Sequence, residues 1–451
     1  MAKLTATCNA KLTTNARKPL NQTCSTELSI DAHATPTSTG ATAAGKVLGR
    51  APLIHKRIDC CTFITLQQNT YANCVHSLVA LDIKPSQIFL DHLIKIWDEG
   101  DAVLPIDQRL PKSAKQKLFK DLGASWIITN DGEKVKLDTG FQTETDDALV
   151  IATSGTTGLP KGVVHTHKSI HASVTAAGSR LSCNSNDHWF ACLPLAHVGG
   201  LSVLLRARQY QSGLTIVDGV DQSLLENAIN TGANLTSLVP TALQKLDVSN
   251  FRAVLVGGSS IVDKLPANAI TTYGLTETMG GIAYDGKALD GVEIRIRDTG
   301  EIEIRGEMLF RTYRDGIDPK KEDGWFTTGD LGEINDDKLT VYGRKDDLIN
   351  TGGYKVWPKL VESSINQING VIDCVVLGLP DAKWGQTVCA WIVLQNPNES
   401  LSLEDVRRHI KETLADYCAP RKLFIVESIP RSALGKVLSA EVLKIESRCY
   451  E

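Results

Sequence analysis

The sequence predicts an α/β protein: a large N-terminal domain of α/β subdomains with largely parallel sheets, followed by a small, mobile α+β C-terminal domain. Short β-prone runs alternate with helix-like segments along most of the chain, a pattern typical of parallel sheets. A length of 451 residues favours more than one hydrophobic core. The charged, glycine-flanked stretch YGRKDD separates the tail of the chain, which is sized for a small domain, from the rest.

The composition is that of a globular protein, with 42% hydrophobic and 22% charged residues. A formal net charge of −4 gives no support for a nucleic-acid partner. No window is apolar for long enough to cross a bilayer, so we expect no integral membrane association. The eleven cysteines are scattered without a CxxC pair, which predicts reduced thiols and a cytoplasmic location.

Residues 1–50 differ from the rest of the chain because they are rich in Thr and Ala and contain no acidic residue before Glu27. Transit peptides share this composition, so a targeting segment is one interpretation. The interpretation we favour is a poorly ordered N-terminal segment. The apolar core of a secretory signal is absent from this stretch.

From residue 51 the elements follow one another with clear signals. HLIKIWDEGDAVLPIDQRLP (92–111) predicts a helix, a glycine turn, a short buried strand and a proline stop. VVHTHKSIHASVTAAGSRL (163–181) predicts a helix. Five further runs predict strands: ASWIIT (124–129), ALVIAT (148–153), HWFACLPL (188–195), LTSLVP (235–240) and FRAVLVGG (251–258).

The C-terminal region has its own pattern of two helices and two strands. KLVESSINQI (359–368) predicts a helix, and VIDCVVLGLP (371–380) and TVCAWIVL (387–394) predict strands. A second helix, SLEDVRRHIKETLADY (402–417), is amphipathic and begins with Ser402 at its N-cap. Its apolar face contains Leu403, Val406, Ile410 and Leu414.

The stretch ATSGTTGLPKG (152–162) has the composition of an anion-binding loop. Its glycines allow backbone N–H groups to converge on an anion, and its hydroxyls and lysine add donors and charge. The helix predicted directly after the loop would contribute a favourable dipole. The spacing is not that of a Walker loop, because Lys161 follows Gly158 and Pro160.

TSGTTGLPKG resembles the phosphate-loop signature of the adenylate-forming superfamily, which includes acyl- and aryl-CoA ligases, luciferases and adenylation domains. Five other motifs resemble signatures of that superfamily and follow in the same order. The six are TSGTTGLPKG (153–162), VLVGGSSI (254–261), YGLTETMGG (273–281), GWFTTGDLGEI (324–334), GRKDDLINTGGYKV (343–356) and PRSALGKVL (430–438).

The resemblance implies activation of a carboxylic acid by ATP, and it assigns a nucleotide site. Thr276 would donate to the α-phosphate, and Glu277 would hold Mg²⁺ against the phosphates. Tyr273 would stack on adenine beside Gly274. The β- and γ-phosphates would contact Ser154, Gly155, Thr156, Thr157, Gly158 and Lys161. The other side of adenine would face Gly257, Gly258 and Ser259. Asp330 would accept from the ribose hydroxyls, and Arg344 would reach the ribose or a phosphate.

The resemblance also implies two domains that rotate between half-reactions. Lys436 would neutralise charge in the adenylation transition state, and Asp346 would be the hinge. We expect residues 51–343 to form the AMP-binding N-terminal domain and residues 344–451 the C-terminal lid domain. Residues 1–50 show little resemblance to the superfamily.

The acid-binding region is similar to that of o-succinylbenzoate–CoA ligases. The resemblance is carried by CLPLAHVGGLSVLLRARQYQSG (192–213) and LTSLVPTALQKL (235–246). It implies that His197 and Arg206 contact the substrate, with Arg206 recognising a second carboxylate.

The favoured hypothesis is therefore an AMP-forming acid–CoA ligase that uses ATP, Mg²⁺ and coenzyme A, with o-succinylbenzoate as its acid. Three alternatives stay open at this point: another acyl- or aryl-CoA ligase, an adenylation domain that loads a carrier protein, and a nucleotide-binding module without catalysis.

Overall fold

The computed structural model describes residues 76–154, 160–258, 265–396, 401–431, 437–445 and 448–450. The segment 1–50 lies outside these residues, so the expectations for it stay predictions. The helices are α1 (Gln87–Asp98), α2 (Lys112–Leu122), α3 (His167–Arg180), α4 (Val198–Gln209), α5 (Gln222–Asn230), α6 (Pro240–Leu243), α7 (Pro358–Ile365), α8 (Leu403–Thr413) and α9 (Ser439–Val442).

The strands in the first half of the chain are β1 (Leu78–Asp82), β2 (Ala102–Pro105), β3 (Trp126–Thr129), β4 (Lys134–Lys136), β5 (Asp147–Ser154), β6 (Pro160–Thr166), β7 (His188–Ala191), β8 (Gly213–Ile216), β9 (Leu235–Leu238), β10 (Ala253–Val256), β11 (Ala269–Leu275) and β12 (Gly280–Tyr284). Those that follow are β13 (Lys287–Ala288), β14 (Glu293–Ile296), β15 (Glu301–Arg305), β16 (Thr312–Tyr313), β17 (Phe326–Asn335), β18 (Lys338–Arg344), β19 (Ile349–Thr351), β20 (Tyr354–Val356), β21 (Val371–Asp381), β22 (Gly385–Leu394), β23 (Lys422–Ile425) and β24 (Arg448–Tyr450).

Two seven-stranded sheets, each with a parallel centre, form most of the larger part of the chain. The first has the order β16-β6-β5-β2-β1-β3-β4, and the second β13-β12-β11-β10-β9-β7-β8. In the first sheet β5, β2, β1 and β3 run parallel, and in the second β8, β7, β9, β10 and β11 do so. Antiparallel strands complete the first sheet at both edges and the second sheet at one edge, where β12 and β13 lie. The prediction of an α/β fold with largely parallel sheets is confirmed for these two sheets.

A shared hydrophobic core joins the two sheets through α3 and α4. Val174 of α3 and Leu204 of α4 belong to the same buried cluster as Leu149 of the first sheet and Trp189 of the second. Burial of such side chains is the main favourable contribution to folding. The two helices therefore fix the position of one sheet relative to the other.

The segment after the glycine-rich loop is a strand, and the prediction of a helix directly after the loop is wrong. β5 and β6 form an antiparallel hairpin around that loop, and α3 begins only at His167, capped by Thr166. Val163 and Val164 are buried opposite Ile151 and Val150, an arrangement that β-branched residues favour. Because a whole strand separates the loop from α3, the dipole of this helix does not act on an anion in the loop.

The remaining strands form two smaller sheets. β14, β15, β17 and β18 make an antiparallel sheet, and β20, β19, β22, β23 and β24 make another, in which β21 also pairs with β22. Helices α7 and α8 pack on the last sheet with a separate core that includes Val361, Val406 and Ile410. Ser402 caps α8 by accepting from Asp405 N, as the sequence predicts. None of the described helices is long and apolar enough to span a membrane.

Candidate active site

Two strand ends rich in glycine form one side of the site. Since β10 and β11 are parallel neighbours, Gly257 and Gly258 after β10 lie at the same sheet edge as Tyr273 and Gly274 near the end of β11. A Cβ on Gly274 would lie 1.9 Å from the carbonyl oxygen of Gly280. Gly258 has φ +88°, a conformation that side chains disfavour. Glycine is therefore required at this edge for structural reasons as well.

Tyr273, Asp330 and Arg344, which the sequence assigns to nucleotide binding, form one hydrogen-bonded group. The Tyr273 hydroxyl donates to Asp330 Oδ2 at 2.8 Å, and Arg344 Nη1 lies 3.5 Å from Asp330 Oδ1. Burial raises the pKa of the Asp330 carboxyl, while its contacts with Tyr273 and Arg344 oppose that rise. Burial and the neighbouring carboxylate raise the pKa of Tyr273. Tyr273 is therefore a neutral donor that fixes Asp330.

Thr276 and Glu277 lie on a short 3₁₀ turn directly after β11. His165 of β6 donates through Nε2 to the carbonyl oxygen of Thr276 at 2.7 Å. Phe310 N donates to the carbonyl oxygen of Glu277 at 2.9 Å, and the Tyr313 hydroxyl donates to Glu277 Oε1 at 3.0 Å. The turn is thus held at three points, by β6, by β16 and by Phe310 just before β16.

Lys161 reaches the same turn through Tyr313. The Lys161 ammonium lies 5.1 Å from the centroid of the Tyr313 ring, within the range of a cation–π interaction. Tyr313 also contacts Glu277, so one aromatic side chain joins the lysine of the glycine-rich hairpin to the carboxylate of the turn. The structure therefore brings Lys161 and Glu277 together, as the sequence assignment requires.

Several residues assigned from the sequence lie outside the described part of the chain. They are Gly155, Thr156, Thr157, Gly158, Ser259, Lys436 and the side chain of Ser154. The backbones that flank two of these segments are described. Ser154 pairs with Pro160 at the base of the hairpin loop, and Arg431 forms a β-bridge with Val437 at the base of the segment that contains Lys436.

His197 immediately precedes α4 and faces an acidic partner. Its Nε2 lies 3.5 Å from Asp107 Oδ2. Asp107 also accepts from Arg109 Nε and Nη2 at 2.8 and 2.6 Å. Burial alone would raise the pKa of Asp107, but the hydrogen bonds from His197 and Arg109 hold it well below its usual range. Asp107 is therefore an ionised carboxylate that can orient the His197 ring.

Arg206 lies on α4 and is 3% exposed, yet within the described residues it makes no salt bridge with an acidic group. Its contacts are two long hydrogen bonds, to Ser202 Oγ at 3.3 Å and to Ser237 Oγ at 3.4 Å. The guanidinium carbon is 4.6 Å from the centroid of the Trp189 ring, and Nε has no hydrogen-bond partner in the described part of the chain. Burial lowers the pKa of Arg206.

The side chains around Arg206 adjoin the turn that carries Glu277. A Cβ built on Gly280 would lie 3.8 Å from Ser202 Oγ, the hydroxyl that accepts from Arg206. A Cβ on the next residue, Gly281, would lie 2.5 Å from the ring of Tyr284. Gly280 therefore lies beside the serine that holds Arg206, and Gly281 has no room for a side chain.

Asp346 is exposed in a short turn between β18 and β19. Lys345 Nζ contacts Glu301 Oε2 at 3.1 Å. This position between two sheets is compatible with a hinge, and the hinge role of Asp346 stays a prediction.

Four contacting residues could not be found from the motifs. His165 and Tyr313 contact the turn, Asp107 contacts His197, and Trp189 contacts Arg206. The partners of the first two are 111 and 36 residues distant in the chain. No periodicity or local spacing connects residues so far apart.

The site offers a carboxylate ligand for Mg²⁺ but no complete protein cage. Among the described residues no group of three or more His, Cys, Asp or Glu side chains could hold a metal ion. A single carboxylate such as Glu277 fits the way in which Mg²⁺ is usually bound, through one or two carboxylates together with phosphate oxygens and water.

Comparison with protein families finds two matches. Residues 101–314 match the AMP-binding enzyme family, and residues 360–436 match the AMP-binding enzyme C-terminal domain. A probable 2-succinylbenzoate–CoA ligase of Mycobacterium tuberculosis is 40% identical over 334 residues, which are 68% of this chain and 87% of the relative. A 2-succinylbenzoate–CoA ligase of Lactococcus lactis is 30% identical over 410 residues, covering 84% and 89% of the two chains.

Among solved structures, the chain is similar to the o-succinylbenzoate CoA synthetase of Bacillus subtilis in complex with its acyl-adenylate intermediate. The TM-score is 0.72 at 25% identity, and the match covers 82% of this chain and 89% of the other. The ATP-bound MatB of Rhodopseudomonas palustris has the same fold, with a TM-score of 0.73 at 22% identity and the same coverage of both chains.

The buried His165 predicts a pH dependence of stability. Burial lowers its pKa from 6.5 to about 4, so the unfolded chain takes up a proton before the folded chain as the pH falls. The stabilisation of the fold that comes from this difference in proton uptake is present above pH 6.5 and is lost as the pH falls towards 4. When the pH falls from 7 to 5, the wild-type chain should lose about 2 kcal/mol more unfolding free energy than His165→Gln does. Urea titration at the two pH values measures this difference.

His171, exposed on α3, provides the control. His171→Gln should follow the wild-type profile at every pH. A profile of His165→Gln that also runs parallel to the wild type would show that His165 is not buried in its neutral form.

Proposed function

Because the chain belongs to the AMP-binding enzyme family, we propose that it is an AMP-forming acid–CoA ligase whose acid is 2-succinylbenzoate. The reaction has two halves. The acid displaces diphosphate from ATP to give an acyl-adenylate, and the thiol of coenzyme A then displaces AMP to give 2-succinylbenzoyl-CoA, an intermediate of menaquinone synthesis. Relatives named for this acid at 30–40% identity support the proposal.

The observation that carries the choice of acid is the buried guanidinium group of Arg206, which forms no ion pair with any of the described residues. A buried charge without a partner is expensive, so such a group is expected where an anionic ligand completes the pair. 2-Succinylbenzoate has two carboxylates, one to be activated and one left over. The planar guanidinium suits the second carboxylate, because it can donate two parallel hydrogen bonds.

The nucleotide would occupy the edge formed by β10, β11 and the turn after β11. Lys161 would contact the phosphates together with the hairpin loop (155–159), and Thr276 would donate to the α-phosphate. Asp330 and Arg344 would contact the ribose, and Tyr273 would lie against adenine. The contacts among Tyr273, Asp330 and Arg344 support a common binding role.

The first half-reaction brings two anions together, so fixed positive charge must be present before they meet. Mg²⁺, held by Glu277, would neutralise phosphate charge. Lys436 would contact the acid and the α-phosphate in one orientation of the C-terminal domain. Rotation about Asp346 would then remove Lys436 and admit the thiol of coenzyme A.

A substrate panel tests this function. The purified chain, given MgATP, should release diphosphate with 2-succinylbenzoate and form its CoA thioester when coenzyme A is added. Benzoate and fatty acids should react much more slowly. A preference for one of those acids would indicate another acyl- or aryl-CoA ligase, and transfer to a carrier protein in place of coenzyme A would indicate a carrier-loading enzyme. No diphosphate with any acid would indicate a binding module.

Replacing Arg206 should alter the choice of acid. We expect Arg206→Ala to lower kcat/KM for 2-succinylbenzoate about a hundredfold, because one partner of a buried charge pair is lost. The rate with benzoate, which has no second carboxylate, should change little. Arg206→Lys should be intermediate, since it keeps the charge and loses the planar fork. Arg208→Ala, at an exposed site on the same helix, is the control; equal losses for both acids would contradict the assignment.

Replacing Lys436 should separate the two half-reactions. Lys436→Ala is expected to slow diphosphate release about a thousandfold, since it removes charge at the transition state. Thioester formation from preformed 2-succinylbenzoyl-AMP should be retained. Lys444→Ala, which changes an exposed lysine of the C-terminal region, should leave both rates unchanged. A similar loss of both half-reactions in Lys436→Ala would contradict domain rotation.

A further inference from the structure

We propose that Tyr313 is a positioning residue that orients the Glu277 carboxylate and the Lys161 ammonium for the magnesium complex of ATP. The inference rests on the proposed function only in requiring that the site binds this complex. None of the sequence motifs includes Tyr313. Its place in the site follows from the structure alone.

The first support is the contact with Glu277. The Tyr313 hydroxyl donates to one carboxylate oxygen, Oε1, at 3.0 Å. Phe310, three residues earlier, donates its N–H to the Glu277 carbonyl oxygen at 2.9 Å. The same short segment therefore holds both the backbone and the side chain of Glu277. Because the hydroxyl occupies Oε1, the other carboxylate oxygen remains available to a ligand.

The second support is the contact with Lys161. Tyr313 pairs with Val163 at the antiparallel edge of the first sheet. Val163 follows Lys161 by two residues in the chain. The ammonium lies 5.1 Å from the centre of the Tyr313 ring. The ring attracts the cation without neutralising it. Among the described residues Lys161 makes no salt bridge, so its charge stays available to phosphate.

The third support is the rigidity of the segment around Tyr313. Arg311 donates to both oxygens of the buried Asp147, at 2.7 and 2.8 Å. Arg314 donates to the carbonyl oxygens of Leu122, Phe141 and Gln142 at 2.6 to 3.0 Å. Both neighbours are thus anchored to the first sheet and its surroundings. A side chain between two such anchors has little freedom, which is what positioning requires.

Two substitutions separate the hydroxyl from the ring. Tyr313→Phe removes the hydrogen bond to Glu277 and keeps a ring beside Lys161, whereas Tyr313→Leu removes both. ATP binding is measured by calorimetry without any acid, so that no adenylate can form, once with Mg²⁺ and once with EDTA.

We expect Tyr313→Phe to weaken binding of the magnesium complex about tenfold, the effect of losing a hydrogen bond to a charged group. Its affinity for ATP in EDTA should stay within about twofold of the wild type. Tyr313→Leu should weaken binding in both conditions. In the background of Glu277→Gln, the substitution of Tyr313 by Phe should add little, because the two residues act as one unit.

Tyr342→Phe is the matched control, since a carboxylate outside the site, Glu333, likewise raises the pKa of the Tyr342 hydroxyl. It should bind ATP as the wild type does with and without Mg²⁺. Three outcomes would overturn the role of Tyr313 and leave the proposed function intact. Tyr313→Phe could weaken ATP binding equally with Mg²⁺ and with EDTA, it could bind ATP as the wild type does, or its effect could be additive with that of Glu277→Gln. A wild-type chain that does not bind the magnesium complex at all would overturn the proposed function and this inference together.

Discussion

A cation that must receive an anionic ligand cannot be neutralised beforehand by a carboxylate. Arg206 and Lys161, the two cations proposed to receive a carboxylate and the phosphates, have no carboxylate partner among the described residues. Two serine hydroxyls and an indole ring hold Arg206, and a phenol ring holds Lys161. Hydroxyls and aromatic faces restrict a cation without cancelling its charge. Two other arginines are different, since Arg252 pairs with Asp187 and Arg311 pairs with Asp147. Arg344 is also different, because it already contacts the Asp330 carboxylate.

The topology places both cations near the turn that carries Glu277. Lys161 belongs to the antiparallel edge of the first sheet, and the turn with Glu277 follows the last parallel strand of the second. His165 and Tyr313 join the two edges, and α4 carries Arg206 into the core between the sheets. A site at the meeting of two sheets therefore depends on side-chain contacts between strands that are distant in sequence.

The sequence predicts helices, strands and candidate site residues, but it does not predict which side chains contact one another. Its motifs place Tyr273, Asp330 and Arg344 on one ligand, and the structure brings them within hydrogen-bonding distance. The helix predicted over 163–181 begins only at His167, because buried Val163 and Val164 pair with a neighbouring strand that local periodicity cannot reveal. Tyr313 could not be found either, since its partners depend on the pairing of a two-residue strand with β6.

Two carboxylates of the site are likewise held by side chains that do not cancel their charge. Glu277 and Asp330 each accept from a tyrosine hydroxyl, Tyr313 and Tyr273 respectively. Burial, together with the adjacent carboxylate, raises the pKa of both tyrosines, so each remains a neutral donor at physiological pH. A neutral donor fixes the rotamer of a carboxylate and leaves its charge in place. A lysine in either position would fix the carboxylate equally well, but it would also neutralise the carboxylate's charge. Tyrosine is therefore the side chain that orients these acids at the least loss of their affinity for a ligand.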